Sequence, residues 1–420
     1  MQEFNTFYFE KFEFDKTSLK AKFFYSFDKK EFFEEIIDFS SDLFEIKNTD
    51  EGILNNLLFH AHIALWISYY KLFPTKKLII KSWFLDKNAI KFWEIFYLNW
   101  LWEFFIKNDF DFNNILNFEN ILDLENLQNK KIKNLEEKSL LMWWWWKDSI
   151  VSSILLEEEK REFDAFVFGK IDKIKFDTLE VLWKKTMLVK RELSENLFKL
   201  NNQGYYNGHV PITWIIAFVS LISAYLYGYK NIVLSNEASA SEENTIRKWL
   251  KINHQYSKSA EFENDFREYV KNYIWDINYY SLLRNKYELE IAEIFSKKAK
   301  KYFNTFSSCN RNFVINWKKQ ENRWCCNCEK CAFVYLILAQ YLDEKEIINI
   351  FGNNLFNNKS LIETYKWLLN LSKNKPFECV GTYEESIISF RKILETYKNK
   401  IKSWEIIKLP YILEELWNKI

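Results

Sequence analysis

Most of the cysteines lie in one segment, with a spacing that could hold a metal ion. Five of the six cysteines fall between Cys309 and Cys331. Cys309, Cys325, Cys328 and Cys331 offer four thiolates, and the C-x₂-C-x₂-C part of the run suits a tetrahedral Zn²⁺ ion. An iron–sulfur cluster or separate reduced thiols would use the same residues, whereas disulfides are rare in cytosolic proteins. We predict structural zinc at these four residues, which leaves Cys326 as a spare thiol.

A second segment, Ser139 to Leu156, has the pattern of a short apolar strand, a tight loop and a helix, with the sequence SLLMWWWWKDSIVSSILL. A loop of this kind that receives a phosphate needs residues without side chains, because Gly lets the backbone approach the anion and the helix N-terminus favours negative charge. Trp143 to Trp146 stand there instead. With Gly at these positions the loop would read MGGGGKDS, which resembles the SGGxDS-type pyrophosphatase loop of enzymes that cleave ATP to AMP and diphosphate.

The overall composition supports a substitution of this kind. The chain has 18 Trp and 7 Gly, whereas average usage of about 7% Gly would give roughly 29 in a chain of this length. We hypothesise that the source organism reads one stop codon as Gly and that these codons are printed here as Trp, also at Trp66, Trp100, Trp102 and Trp249. The alternative is a genuine aromatic cluster, buried or at an interface. UGG codons at these positions would refute the hypothesis.

The polar residues around this loop predict a nucleotide site. Asp148 is the expected Mg²⁺ ligand, because Mg²⁺ prefers carboxylate oxygen together with nucleotide phosphates. Ser149 and the loop N–H groups would hold phosphate, and Lys147 would offset its charge. The sequence KDS alone would favour a capped helix start. The predicted nucleotide-binding residues are Trp143, Trp144, Trp145, Trp146, Lys147, Asp148, Ser149, Asn236 and Glu237.

Proton transfer needs a second set of groups, and the candidates are His209, His254 and Lys258. His209 precedes a long apolar helix, and a helix N-terminus lowers the pKa of a histidine. His254 and Lys258 lie in the polar run NHQYSKSAEFE, which is equally typical of a helix start capped by a serine. Each histidine taken alone favours a structural role, and Cys379 is a weaker candidate. His60 and His62 are two apart and therefore on different helix faces, so we expect them to be packing or surface residues rather than metal ligands.

The elements that must position these residues predict an α/β fold. Residues 1 to about 45 alternate aromatic and polar side chains, which indicates antiparallel strands, and residues 52–107 are helical. After the loop, strands at residues 163–169, 186–193, 231–236 and 277–283 alternate with helices, which indicates a mostly parallel sheet. We predict an α+β domain over residues 1–137 and a Rossmann-like ATP-pyrophosphatase (PP-loop) domain over residues 138–420. Ligands bind at the carboxyl ends of such strands, so Asn236 and Glu237 should face Lys147.

Charge and hydropathy exclude several classes of function. The 59 basic and 58 acidic residues are interspersed and give a net charge of +1, so no nucleic-acid partner is expected. The first residues lack the pattern of a signal peptide, which predicts a cytoplasmic location. Residues 212–229 form an uncharged run of the minimum length for a membrane span. A covered helix of an α/β domain explains that run better, and no membrane partner is expected.

Long polar blocks, together with the loop and the cysteines, resemble one family over nearly the whole chain. Those blocks are LWISYYKLFP, YLNWLWEFF, WWWWKDS, NGHVPIT, LSNEASASEEN, NHQYSKSAEFE, SLLR, YELEIA, SSCNR, WCCNCEKC and KPFECVGT. The chain is similar to the bacterial UDP-N-acetylmuramoyl-L-alanyl-L-glutamate epimerase (MurL-type) family, and departs from it mainly by Trp where the family has Gly. The resemblance implies ATP- and Mg²⁺-dependent inversion of the terminal L-Glu of the UDP-muramoyl dipeptide in peptidoglycan synthesis. It also implies a Mur ligase that supplies the L-Glu substrate.

Two other classes stay open at this point. One is a different ATP pyrophosphatase, amidating or nitrile-forming like the deazaguanine synthases, which share the loop and a four-cysteine zinc site. A requirement for a nitrogen donor would discriminate that class. The other is a non-catalytic, zinc-stabilised binding protein, if the tryptophans are real.

Overall fold

The computed structural model of the chain is an α/β protein built on one large sheet. It describes residues 3–108, 110, 116–120, 132–208, 210, 212–242, 245–247, 250–253, 255–313, 323–372 and 380–420.

The strands of the described residues fall into a ten-stranded sheet and a separate two-stranded hairpin. The strands are β1 (Thr6–Asp15), β2 (Lys20–Phe27), β3 (Glu31–Asp38), β4 (Lys77–Ile80), β5 (Asn117–Asn120), β6 (Glu136–Met142), β7 (Phe163–Phe168), β8 (Thr186–Glu192), β9 (Tyr229–Leu234), β10 (Thr245–Arg247), β11 (Leu250–Ile252) and β12 (Asn278–Ser281). The large sheet has the order β12-β9-β6-β7-β8-β3-β2-β1-β4-β5, and β10 pairs with β11.

Five neighbouring strands of the large sheet, from β12 to β8, are all parallel. The first three strands of the chain are antiparallel to one another, and β3 joins them to β8, also antiparallel. The predicted N-terminal antiparallel strands and the mostly parallel sheet are therefore confirmed. Because β3 pairs with β8, the sheet is continuous from the N-terminal strands to the parallel strands, and the division after residue 137 stays a prediction.

The α-helices cover both faces of this sheet. They are α1 (Glu51–Leu65), α2 (Ile67–Tyr70), α3 (Lys87–Lys107), α4 (Lys147–Glu158), α5 (Lys173–Leu182), α6 (Glu195–Asn202), α7 (Ile212–Tyr227), α8 (Ala260–Tyr273), α9 (Glu288–Lys298), α10 (Glu329–Leu338), α11 (Glu344–Phe351), α12 (Ile362–Leu368), α13 (Tyr383–Lys402) and α14 (Tyr411–Leu416). Short 3₁₀ turns include Ala238–Ser241 and Tyr256–Lys258.

Two hydrophobic cores lie on opposite faces of the parallel strands. Successive side chains of a strand point to opposite faces, and Leu140 of β6 belongs to one core while Leu141 belongs to the other. The first core contains α1 and α7, and the second contains α4, α9 and α10. Burial on both faces explains why β6 and β9 each end in a short continuous apolar run, at residues 140–142 and 232–234.

The uncharged run at residues 212–229 forms α7, which is 16 residues long and buried along nearly its whole length. Within the described ranges, no helix has both the length and the apolar character needed to cross a membrane. The apolar side chains of α7 are therefore explained by packing against α1 and β9.

Candidate functional site

The predicted strand, loop and helix are confirmed, and they place the loop at the carboxyl edge of the parallel strands. Strand β6 ends at Met142 and α4 begins at Lys147, so Trp143 to Trp146 form the whole connection. Trp146 occupies the N-cap position in an extended conformation, and its side chain makes no capping hydrogen bond. The N–H groups of a helix's first turn have no acceptors within the helix, which suits this end of α4 to an anion.

A small pocket with room for about one water molecule lies at the same edge, where β6 and β7 end. Apolar side chains line it: Met142, Trp143, Trp144, Trp145, Phe166, Val167, Phe168 and Ile216. Crevices at the carboxyl ends of parallel strands are the usual ligand sites of α/β sheets. The indoles of the loop thus form one wall of this small pocket.

A buried group of charges lies directly below the loop. The Lys147 ammonium is fully buried and forms ion pairs with Asp148 and with Glu288, the first residue of α9. Burial lowers the pKa of Lys147, but the carboxylates of Asp148, Glu288 and Glu237 outweigh burial and hold that pKa above its usual value. Burial raises the pKa of Glu288 against the opposing effect of Lys147. Glu237, three residues after the end of β9, thus acts electrostatically on the first residue of α4, and its role in nucleotide binding stays a prediction.

Topology explains why residues far apart in sequence meet here. Lys147 follows β6, Glu237 follows β9, and Glu288 follows β12, and these three strands are parallel neighbours. Their carboxyl ends therefore share one edge of the sheet. Lys330, near the start of α10, is 3% exposed and its ammonium lies 3.9 Å from Glu288 Oε1.

The other predicted nucleotide-binding residues are held by local hydrogen bonds. The Ser149 hydroxyl donates to the carbonyl oxygens of Trp144 and, at 3.1 Å, Trp146. The carbonyl of Asn236 accepts from the Ser281 hydroxyl at 2.6 Å. Ser149 therefore ties the loop to α4, and Asn236 ties the end of β9 to β12.

Arg284 connects this edge to the predicted proton-transfer segment. Its guanidinium donates to the carbonyl of Glu237 at 3.1 Å and to the carbonyl of Lys258 at 2.8 Å, and it forms an ion pair with Glu263 at 2.8 Å. Lys258 closes the 3₁₀ turn Tyr256–Lys258 and its ammonium lies 5.1 Å from the centre of the Trp146 ring. The structure thus brings Lys258 to the loop.

Three of the residues considered for proton transfer, His209, His254 and Cys379, lie outside the described residues, and their roles stay predictions. His60 and His62 are described, and both are buried among aromatic rings, as expected for packing. Burial lowers the pKa of each to about 3. Ser259 caps α8 by accepting from the Phe262 N–H at 3.1 Å, which confirms the expected serine cap.

The four predicted zinc ligands come together. The Sγ atoms of Cys309, Cys325, Cys328 and Cys331 all lie within 4.8 Å of one another. Tetrahedral Zn²⁺ with Zn–S bonds of about 2.3 Å would hold sulfurs roughly 3.8 Å apart, and Cys325 Sγ lies 3.7 Å from Cys331 Sγ. The donor set and its spacing therefore fit the ion. Cys326 is not part of the cluster, and its thiol donates to the Phe351 carbonyl at 3.2 Å.

The cysteine cluster is connected to the loop through one serine. The Ser307 N–H donates to the Trp145 carbonyl at 3.2 Å, and the Ser307 hydroxyl accepts from the Cys309 N–H at 3.2 Å. The segment that carries Cys309 therefore supports the loop at Trp145.

Several tryptophans occupy positions that suit Gly. Eleven residues other than Gly have a positive φ in the described part of the chain, and three of these are Trp183, Trp275 and Trp404. Bulky residues rarely adopt this conformation. By contrast, the Trp93 indole donates to the Tyr269 hydroxyl at 2.9 Å, as a genuine buried Trp should.

Sequence reasoning missed Glu288, Arg284 and Lys330. The segments that contain them were noticed only as parts of a family resemblance. Arg284 and Glu288 lie in the segment that follows β12, so the rule that ligands meet the carboxyl ends of parallel strands was a usable signal for them. Lys330 gave a different signal, because it lies between two cysteines predicted to bind one metal.

Together these features define an α/β protein with a strand–loop–helix site at the carboxyl edge of a parallel sheet, supported by a four-cysteine cluster. A family model described as the MurL N-terminal domain matches residues 1–282, and one described as the MurL C-terminal domain matches residues 305–409. The chain belongs to the MurL family.

Individual relatives carry one shared name, UDP-N-acetyl-alpha-D-muramoyl-L-alanyl-L-glutamate epimerase. The chain is 43% identical to the protein of Xanthomonas oryzae pv. oryzae over 197 residues, which are 47% of this chain and 44% of that relative. It is 36% identical to the protein of a Micromonospora species over 210 residues, 50% of this chain and 46% of the relative. It is 37% identical to the protein of Salinispora tropica over 204 residues, which are 48% of this chain and 44% of that relative. The match thus spans less than half the length of these curated relatives.

Proposed function

We propose that this protein inverts the terminal L-Glu of UDP-N-acetylmuramoyl-L-alanyl-L-glutamate to D-Glu, with ATP as a cosubstrate, in peptidoglycan precursor synthesis. The observation that carries the proposal is membership of the MurL family. The printed name of the three relatives supports the substrate. The loop between β6 and α4 supports the use of ATP, and with it the assignment of a PP-loop type of fold.

The chemistry explains why an epimerase would need ATP. A free carboxylate opposes removal of the neighbouring α-proton, because the carbanion would place a second negative charge beside the first. In the proposed reaction the glutamate carboxylate attacks the α-phosphorus of ATP, the bond to the β-phosphate oxygen breaks, and diphosphate leaves. The resulting acyl adenylate accepts the charge of the enolate that forms when the α-proton is removed. After a proton returns to the opposite face, water attacks the acyl carbon and releases AMP.

The chain's own residues would divide this work between the loop and the charges below it. Residues 143–146, with Gly in place of Trp, and the first turn of α4 would hold the phosphates. Lys147 would offset their charge. Mg²⁺ suits Asp148, whose carboxylate lies with Glu237 and Glu288 around Lys147, and the ion would neutralise the leaving diphosphate.

Proton transfer requires an acid and a base on opposite faces of the α-carbon. His209, His254 and Lys258 are the candidates, with Cys379 less favoured. Each is changed to Ala in turn, and exchange of the substrate's α-hydrogen is followed in deuterated water. A variant that exchanges as fast as the parent excludes its residue as the base.

We also propose that Zn²⁺ occupies the four-cysteine cluster in a structural role. The donor set supports this assignment, because four thiolates complete a tetrahedral shell and leave no position for substrate. A Mur ligase that adds L-Glu is the proposed functional partner, since its product is the substrate.

The experiment that tests the proposal uses the full chain with glycine at residues 143–146 (W143G/W144G/W145G/W146G). The protein is incubated with ATP, Mg²⁺ and the UDP-muramoyl dipeptide, and AMP and the chirality of glutamate are measured. We expect D-Glu and AMP to accumulate together. Chirality that stays L while the dipeptide is bound would refute epimerisation, and a requirement for a nitrogen donor would indicate an amidating enzyme.

A further inference from the structure

Lysines from two separate elements converge on residue 146 of the loop. The ammonium of Lys258, at the end of the turn before α8, lies 5.1 Å from the centre of the Trp146 ring, and that of Lys330 in α10 lies 5.6 Å from it. On the neighbouring residue, the Lys175 ammonium lies 4.3 Å from the Trp145 ring. A ring face attracts cations because its quadrupole is negative there. The negative face of the Trp146 indole therefore lies where the ammonium groups of Lys258 and Lys330 come together.

Lys330 is unusual because it is buried. A buried ammonium is unfavourable unless a carboxylate balances it. Glu288 supplies that balance, because its carboxylate lies 3.9 Å from the Lys330 ammonium and also pairs with Lys147. Asp148 and Glu237 act on Lys147 as well. Glu288 therefore holds both Lys147 and Lys330 in place.

The position of residue 146 is also the N-cap of α4, a helix of 12 residues. Its indole N–H is buried and has no acceptor among the residues that the structure describes. Trp at this position therefore leaves a buried N–H group without a hydrogen bond. Gly would instead leave room for an anion between the helix N-terminus and the two lysines.

We infer that Lys258 and Lys330 bind the diphosphate end of ATP at residue 146, and that Glu288 positions Lys330 for this contact. The inference rests on the proposed function, since it names the residues that hold the leaving group at the same site. The chain's net charge of +1 provides no general attraction for a polyphosphate, so the binding charge must be local. If Lys258 binds phosphate in this way, the remaining proton-transfer candidates are His209 and His254, with Cys379 less favoured.

Because Lys330 lies between Cys328 and Cys331, the cysteine cluster fixes the start of α10 and with it this lysine. The Cys331 N–H donates to Cys328 Sγ at 3.4 Å, which closes the first turn of the helix around Lys330. The cysteine cluster therefore fixes the position of Lys330 at the anion site, in addition to stabilising the fold.

The test measures the affinity of inorganic diphosphate for the full chain with glycine at residues 143–146, by calorimetry in the presence of Mg²⁺. We expect Lys330→Gln and Lys258→Gln each to raise the Kd at least about tenfold, as loss of a charge-assisted hydrogen bond should. The double variant should be weaker than either, and Lys330→Arg, which keeps the charge, should recover part of the loss. Lys398→Gln is the matched control, because that ammonium lies 4.2 Å from the ring of Trp417 at the other end of the chain.

Circular dichroism and metal content verify that each variant is folded with its cysteine cluster intact. If Lys330→Gln does not fold, Lys258→Gln and Lys330→Arg still decide the outcome. Affinities equal to that of the parent in both Lys→Gln variants would overturn the inference and leave the proposed function standing. A parent that binds diphosphate through these lysines but makes no AMP would refute the proposed function alone, and a parent that binds no diphosphate would overturn both.

Discussion

Replacing Trp183 by Gly should stabilise the protein, although it removes the largest side chain. Trp183 ends α5 in the left-handed conformation, with φ 53° and ψ 43°, and its N–H donates to the Leu179 carbonyl at 3.1 Å. Gly352 ends α11 in the same left-handed conformation, with φ 78°, and its N–H donates to the Ile348 carbonyl at 2.7 Å. Left-handed C-terminal positions of this kind are commonly Gly. Trp183 thus occupies a position that another helix of this chain gives to Gly.

The magnitude follows from two opposing terms. Left-handed backbone costs an L-residue about 1–2 kcal/mol, and the extra freedom of Gly in the unfolded chain offsets about 0.4–1 kcal/mol of that. The Trp183 side chain is 91% exposed, so its removal loses almost no buried area. We expect a net stabilisation of about 0.5–1 kcal/mol. Trp404, with φ 61° and 91% exposure, should behave alike, and the two effects should add to about 1–2 kcal/mol.

The assay is urea unfolding followed by circular dichroism, with Trp417→Gly as the matched control. Trp417 is 40% exposed, has the right-handed φ of −60° and carries the Lys398 ammonium over its ring. Gly there should destabilise by about 1 kcal/mol, through lost helix propensity and lost contact. A Trp183→Gly variant that is destabilised as much as Trp417→Gly would refute the reasoning.

Three further predictions concern buried groups. Cys309→Ser should lower the zinc content from about one ion per chain to less than half and lower the unfolding temperature; full metal content by mass spectrometry would contradict the zinc assignment. Glu288→Gln should destabilise by about 3–5 kcal/mol, because it leaves buried ammonium groups without their carboxylate; a change below about 1 kcal/mol in urea unfolding would contradict the described ion pairs. Burial, helped by Arg191, lowers the pKa of Lys71 from 10.5 to about 8, so between these pH values the unfolded chain binds more protons than the folded chain and stability rises with pH. The parent should therefore gain roughly 2 kcal/mol over Lys71→Met between pH 7.5 and 10, whereas a constant difference between the two would refute the lowered pKa.

Local patterns in the sequence were enough to predict the elements around the site. Alternation of aromatic and polar residues gave β1 to β3, and the apolar run before the tryptophans gave β6 followed by α4. The cysteine spacing predicted the cluster because three of its four ligands lie within one short segment. The prediction of helix over residues 52–107 is wrong at β4, and β5 was missed as well, since neither four-residue strand has an alternation long enough to recognise.

Long-range contacts explain what the sequence did not predict. The pairing of β3 with β8, which makes the sheet continuous, depends on two strands that are far apart in the chain. Glu288 meets Lys147 because β6 and β12 both flank β9, and it meets Lys330 because the cysteines fix the start of α10. From the sequence, Trp146 is a bulky residue where a phosphate loop needs Gly. The structure adds that the ammonium groups of Lys258 and Lys330 lie close to its ring.

The central claim is that ATP activates the carboxylate of the substrate. The direct measurement uses the UDP-muramoyl dipeptide labelled with ¹⁸O in the glutamate carboxylate. It is incubated with ATP, Mg²⁺ and the full chain with glycine at residues 143–146. We predict that AMP acquires ¹⁸O from the carboxylate as D-Glu forms, because water attacks the acyl carbon and the bridging oxygen leaves with phosphorus. D-Glu that forms without AMP, or with AMP free of ¹⁸O, would contradict the account.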